Sequence, residues 1–94
     1  MASTAFSLPA ATGTAFTSTG PVKLTGVTVF CTAAGDGVSL RDKDASGTIL
    51  ATVRSGVALN SVNVCLDDGV YAPSGVIHAT LFGTTAPYGS FYIQ

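Results

Sequence analysis

Apolar and polar residues alternate along most of this chain with a period of two, not 3.6. In "VKLTGVTVFCTA" (22–33), Val27, Val29 and Cys31 fall on one side and Thr28, Phe30 and Thr32 on the other. A half-buried strand reads this way. Gly26 interrupts the run and predicts a bulge or a close backbone approach. "GVSLRD" (37–42) puts Val38 and Leu40 on one face. "TILATVR" (48–54) puts Ile49, Ala51 and Val53 on one face and Leu50 on the other. "NSVNVCL" (60–66) turns Val62, Val64 and Leu66 inward, with Asn63 and Cys65 opposite. "GVIHATLFG" (75–83) is almost continuously apolar, and "SFYIQ" (90–94) closes the chain. Turn residues stand between these runs: Ala34-Gly35-Asp36-Gly37, Asp42 to Gly47, Ser55-Gly56, Asp67-Asp68-Gly69, Pro73-Ser74-Gly75 and Ala86-Pro87-Tyr88-Gly89. No window repeats at helical spacing. Six to eight short strands at intervals of roughly 8–12 residues predict an all-β fold, an antiparallel β-sandwich. Jelly-roll and immunoglobulin-like strand orders both fit this pattern.

The first twenty residues follow a different pattern. They carry no charge, and Phe6, Leu8 and Phe16 are spaced among Ala, Thr, Ser and Gly. Pro9, Gly13 and Gly20-Pro21 break any helix. Residues 1–20 are therefore expected to form an extended arm, with a short strand near Thr14 to Ser18, lying on another surface through its three apolar anchors. Residues 21–94 are expected to form the β-sandwich domain.

Composition sharpens the picture. Charged residues are 10% of the 94, against roughly 25% in ordinary globular chains, while 47% are hydrophobic and mean hydropathy is +0.50. No apolar run approaches the ~18 residues of a membrane-spanning helix. So uncharged an exterior implies that other subunits cover much of it. Net charge is −1, from four basic and five acidic residues. Without a basic stripe or polybasic segment, direct binding to nucleic acid or to a membrane surface is not expected. The N-terminus lacks the basic and apolar regions of a signal peptide, which points to a reducing compartment. Cys31 and Cys65 are accordingly expected to be buried free thiols, and with one histidine they do not compose a zinc site.

The candidate chemistry is sparse. Asp42, Asp44, Ser46 and Gly47 match the first half of a calcium-hand loop, but Val53 stands where the bidentate carboxylate belongs. These residues read as a hairpin turn with Gly47 at positive φ, and at most as a weak calcium site. No cofactor is expected. His78 reads as a structural strand residue, since no nucleophile or orienting carboxylate is placed beside it by sequence. Asp67-Asp68 reads as a turn, since adjacent strand positions face opposite ways. Tyr71, Tyr88, Phe91 and Tyr92 gather toward the C-terminus, where Phe91 reads as core and the tyrosines as interface anchors.

A Gly-Pro-led strand, "VSLRD", "SGTILATV", "DDGVYAPSGV" and an aromatic closing strand together resemble small β-sandwich virion structural proteins of tailed bacteriophages. The resemblance spans residues 20–94 and rests on strands and turns, with no catalytic motif. It implies a non-enzymatic head cement or decoration protein on the virion surface, assembled in the host cytoplasm. Its implied partner is the major capsid protein, with a trimer of this chain as the implied oligomer. Phe6, Leu8, Phe16, Tyr71, Tyr88 and Tyr92 would then be interface residues. The alternative is a tail or host-attachment module that binds a receptor or glycan through its aromatic-rich end.

Overall fold

A computed structural model describes residues 3–83 and 87–94. Eight strands are seen: β1 (Thr4–Ser7), β2 (Gly13–Thr17), β3 (Val22–Cys31), β4 (Gly37–Asp42), β5 (Ile49–Arg54), β6 (Asn60–Ala72), β7 (Val76–Phe82) and β8 (Tyr88–Ile93). They form two four-stranded sheets, β1-β8-β3-β6 (sheet A) and β2-β7-β4-β5 (sheet B), and every pairing is antiparallel. The first half of the chain folds back along the second: β1 on β8, β2 on β7, β3 on β6, β4 on β5. This long hairpin then rolls up, so that β3 also meets β8 and β4 also meets β7. An eight-stranded double sheet wound in this way is a jelly roll.

The tip of the hairpin is the Asp42 to Gly47 turn, and local chemistry builds it. Ser46 donates from both its backbone N–H and its hydroxyl to Asp44 Oδ1, each at 3.0 Å. Asp42 Oδ1 accepts from the Ser74 hydroxyl at 2.8 Å and from the Ser74 N–H at 3.2 Å. The residue at positive φ is Lys43 (77°), not Gly47. Gly47 is needed for a different reason: a Cβ there would lie 1.7 Å from the Asp42 carbonyl oxygen.

The first twenty residues are extended, but the structure uses them differently from an arm laid on a foreign surface. β1 is an edge of sheet A and β2 an edge of sheet B. Leu8 is buried in the core, and Phe6 and Phe16 pack against it. Phe6, Phe16 and Phe91 form a three-ring cluster with centroids 4.8, 5.8 and 6.4 Å apart, joining β1, β2 and β8. Full burial of such a ring is worth about 1.5–3 kcal/mol; Phe91 is fully buried and Phe6 and Phe16 partly so, so the edge strands are held by the same core they help to close. The rest of that core comes from inward positions, with Leu24, Val27, Val29, Val38, Leu40, Ile77 and Phe91 fully buried.

Irregular ladders overturn one reading taken from alternation and one turn, and bear out the irregularity expected at Gly26. A bulge opposite the Leu40/Arg41 step leaves Leu50 as an extra residue, so Leu50 and Ala51 both point inward and Ile49 is 51% exposed. In β3 the ladder shifts between Leu24 and Gly26; both Leu24 and Val27 therefore reach the core, and Gly26 is the predicted site of irregularity. Opposite this step, Asp67-Asp68-Gly69 does not end a strand. Gly69 takes φ 84° inside the 13-residue β6, and a Cβ there would press on the Lys23 side chain. The expected turn at Ala86 begins outside the described residues, and Tyr88 already belongs to β8.

Candidate docking surface

The jelly roll sorts its loops to two ends, and charge follows the sorting. At one end lie the β1–β2, β3–β4, β5–β6 and β7–β8 connections. They are joined by Leu8 N–H to Gly89 O (2.9 Å), Gly35 N–H to Ser55 O (2.7 Å) and Ser55 N–H to Asp36 O (3.0 Å). At the other end, Ser18 N–H donates to Gly75 O (2.8 Å) and Lys43 N–H to Val76 O (2.9 Å). Lys23, Arg41, Asp42, Lys43, Asp44, Asp67 and Asp68 all belong to the half of the chain path nearer this second end. Among the described residues, the charged side chains at the first end are Asp36 and Arg54. Asp36 is fully buried, and Arg54 lies over the Phe82 ring at 4.6 Å. That cation–π contact spans the strand at Gly37, which pairs with both residues and where a Cβ would press on the Val53 carbonyl and on Arg54. Arg54 is exposed, so among the described residues this end carries one exposed cation and no exposed acid, and is nearly neutral.

Apolar side chains stand out from it. Val57 is 59% exposed and Leu59 75%. The loop that carries them is held in place. The buried Ser55 hydroxyl accepts from Val57 N–H (3.2 Å) and Asn60 Nδ2 (3.2 Å), and donates to Val57 O (2.7 Å). Leu59 itself sits at φ 51°, a left-handed conformation that branched side chains seldom adopt. Sequence reasoning misses these residues because it assigns only Ser55-Gly56 to a turn and gives Val57 to Leu59 no role. The available signal was an apolar Val57-Ala58-Leu59 triplet between turn residues.

The three tyrosines singled out from sequence share the outer face of sheet A. Cross-strand rows there read Tyr88–Phe30–Ser61, Ser90–Thr28–Asn63 and Tyr92–Gly26–Cys65, with Tyr71 and Lys23 beyond them. Tyr88 meets Phe30 at 5.3 Å next to the nearly neutral end, and Tyr71 lies toward the charged end under the Lys23 ammonium at 5.1 Å. Phe6, Leu8 and Phe16 do not join this surface, because their apolar faces are spent inside the fold.

The remaining candidates are placed as follows. Asp42, Asp44 and Ser46 satisfy one another and Ser74 at the hairpin tip, and the Ser46 hydroxyl and N–H hold the Asp44 carboxyl below the usual carboxylate range. Among the described residues no group of three or more His, Cys, Asp or Glu gathers around a metal position. His78 lies on the outer face of sheet B with Nδ1 3.5 Å from Thr80 Oγ1. Its cross-strand neighbours are Thr14 and Arg41, and the Arg41 guanidinium donates to Gly47 O at 3.1 Å. The Asp67 side chain lies outside the described residues, and Asp68 is exposed. Cys31 is buried and free as expected, whereas Cys65 is exposed. Cys65 falls on the outward phase of edge strand β6, five rungs from the Asn60 that pairs with Cys31. Burial, with the nearby Asp36 charge, pushes the Cys31 thiol up.

Fold and surface together define a jelly-roll β-sandwich with a nearly neutral, apolar-tipped end. No protein family, curated protein or solved structure matches the chain.

Proposed function

We propose that this chain is a non-enzymatic structural protein of a virus particle, a head cement or decoration protein that binds the major capsid shell and stabilises it. The observation that carries the reading is the segregation of charge. Val57 and Leu59 protrude from an ordered loop at the end that has no exposed acid, in a molecule with only nine charged residues. Exposed apolar groups on a fixed backbone lose little entropy on docking and gain about 25 cal/mol per Å² of apolar surface covered. Tyr88 and Phe30 extend the same surface onto sheet A. A trimer around the shell's local three-fold positions belongs to the proposal through the resemblance of the strand and turn pattern.

The test is cosedimentation with shells assembled from the major capsid protein. The unmodified chain is expected to pellet with shells and to raise their melting temperature. The Val57→Asp/Leu59→Asp double variant is expected to stay folded, because both side chains are exposed, and to remain in the supernatant. A wild-type chain that ignores shells and stays monomeric in analytical ultracentrifugation at high concentration would refute the reading.

A further inference from the structure

A second surface lies in the other half of the molecule. The bulge at Leu24/Gly26 turns both Thr25 and Gly26 toward the outside of sheet A. Because Gly26 has no side chain, a cleft of about 550 Å³ opens over it, within the roughly 300–1,000 Å³ of small-molecule sites. Thr28, Asn63, Cys65 and Tyr92 stand around it, with Ser3 at its edge. Its walls are fixed by hydrogen bonds. Tyr92 Oη is 3.4 Å from Thr28 Oγ1, and Thr28 Oγ1 donates to Asn63 Oδ1 at 2.6 Å. Thr25 Oγ1 pairs with Ser3 Oγ at 2.7 Å and donates to Tyr92 O at 3.2 Å.

We propose that this cleft binds a neutral saccharide, with its ring face on Tyr92 and its hydroxyls on Asn63 and the tyrosine oxygen. The lining selects this class by elimination. Among the described residues no charged side chain and no helix end lines the cleft, whose wall also includes Thr25, Val64 and Gln94, so a phosphate or carboxylate ligand would find no cationic side chain there to offset its lost hydration. The donors are neutral hydroxyls and amides with one thiol, which suits neither calcium nor zinc. A purely apolar ligand would strand the hydroxyls and the Asn63 amide. A sugar offers what remains: C–H faces for an aromatic ring, and paired hydroxyls that both donate and accept. Asn63 supplies the complementary pair. Its amide oxygen is committed to Thr28, which orients the group and leaves two N–H donors without a partner among the described residues. Sequence alone hides this site, because Asn63 and Tyr92 lie on strands that are not neighbours and are linked only through Thr28 on the strand between them. The inference is independent of the capsid reading, since Val57 and Leu59 stand at the opposite end.

Backbone-amide NMR titration with cellobiose, maltose, lactose and N,N′-diacetylchitobiose tests it. At least one probe is expected to shift Gly26, Thr28, Asn63, Cys65 and Tyr92 at millimolar concentration, with glucuronate and glucose 6-phosphate weaker than their neutral counterparts. Tyr92→Ala and Asn63→Ala are each expected to weaken binding on the order of tenfold, the loss of one stacking or hydrogen-bonding group. Gly26→Ala should weaken it too, since the added methyl would occupy the cleft floor beside the Tyr92 ring, 3.1 Å from Val64 O. If Tyr92→Ala fails to fold, Asn63→Ala, exposed on an edge strand, carries the test. Shifts confined to residues outside the cleft, no shift with any neutral probe, or full affinity in the folded Asn63→Ala chain would each overturn the proposal.

Discussion

Leu59 holds φ 51°, a conformation that costs an ordinary L-residue about 1–2 kcal/mol. Glycine would remove that strain but cost about 0.5–1 kcal/mol of extra chain entropy on folding. Leu59→Gly is therefore expected to leave stability in urea unfolding unchanged or raise it by up to about 1 kcal/mol, while shell binding falls with the lost side chain. A purely structural Leu59 would show no such split. The two thiols give a second residue-level prediction. In the native protein a thiol reagent should modify Cys65 alone, and Cys31 only on unfolding. Burial raises the folded Cys31 thiol above its unfolded value, so its contribution to stability is whole below the ordinary thiol range. That contribution is lost as pH rises through the folded value. Chemical denaturation across the alkaline range should show this loss, and Cys31→Ala should flatten it.

At the level of strands, the hairpin β4–β5 was legible because its signals are local: alternation, Asp and Ser side chains that bond nearby backbone, and glycine in the turn. The positions that misled were bulges. Ile49 and Leu50 exchange faces because β4 is one residue shorter than its partner across that step, and nothing in "TILATV" announces a neighbour's register. Similarly, β6 runs through Asp67-Asp68-Gly69 because β3 and its core residues Leu24 and Val27 demand pairing on both sides of the irregularity. The apolar spacing of residues 6–16 was visible, but not that its partners were β7 and β8. Deletion of residues 1–17 removes two of eight strands and two rings of the Phe6–Phe16–Phe91 cluster. That deletion is expected to abolish the dispersed NMR spectrum, rather than to yield a folded chain that merely fails to dock. A folded truncated chain would show that β1 and β2 are dispensable to the sandwich.

For the molecule as a whole, the sandwich class could be read from strand spacing, but the jelly-roll order could not. Its defining pairs join the first half of the chain to the second, and no local property encodes which distant strand lies alongside. The candidate surfaces were hidden for the same reason. Low total charge is a sequence fact, whereas the gathering of all the exposed charges but Arg54 toward one end follows from which loops share an end. That gathering predicts how shell association responds to salt. Docking through the nearly neutral end should change little as sodium chloride screens charges, and should tighten in ammonium sulfate, which strengthens apolar burial. Steep weakening in sodium chloride would place the contact at the charged end instead.

The pairing of Thr4 with Ile93 brings the start of β1 beside the end of β8, remote from Val57 and Leu59. Joining them by a short linker and reopening the backbone at Ala45 should give a circular permutant with all eight strands intact. A peptide inserted at either of these two strand ends would project away from the face proposed to dock, making the molecule a carrier for outward display.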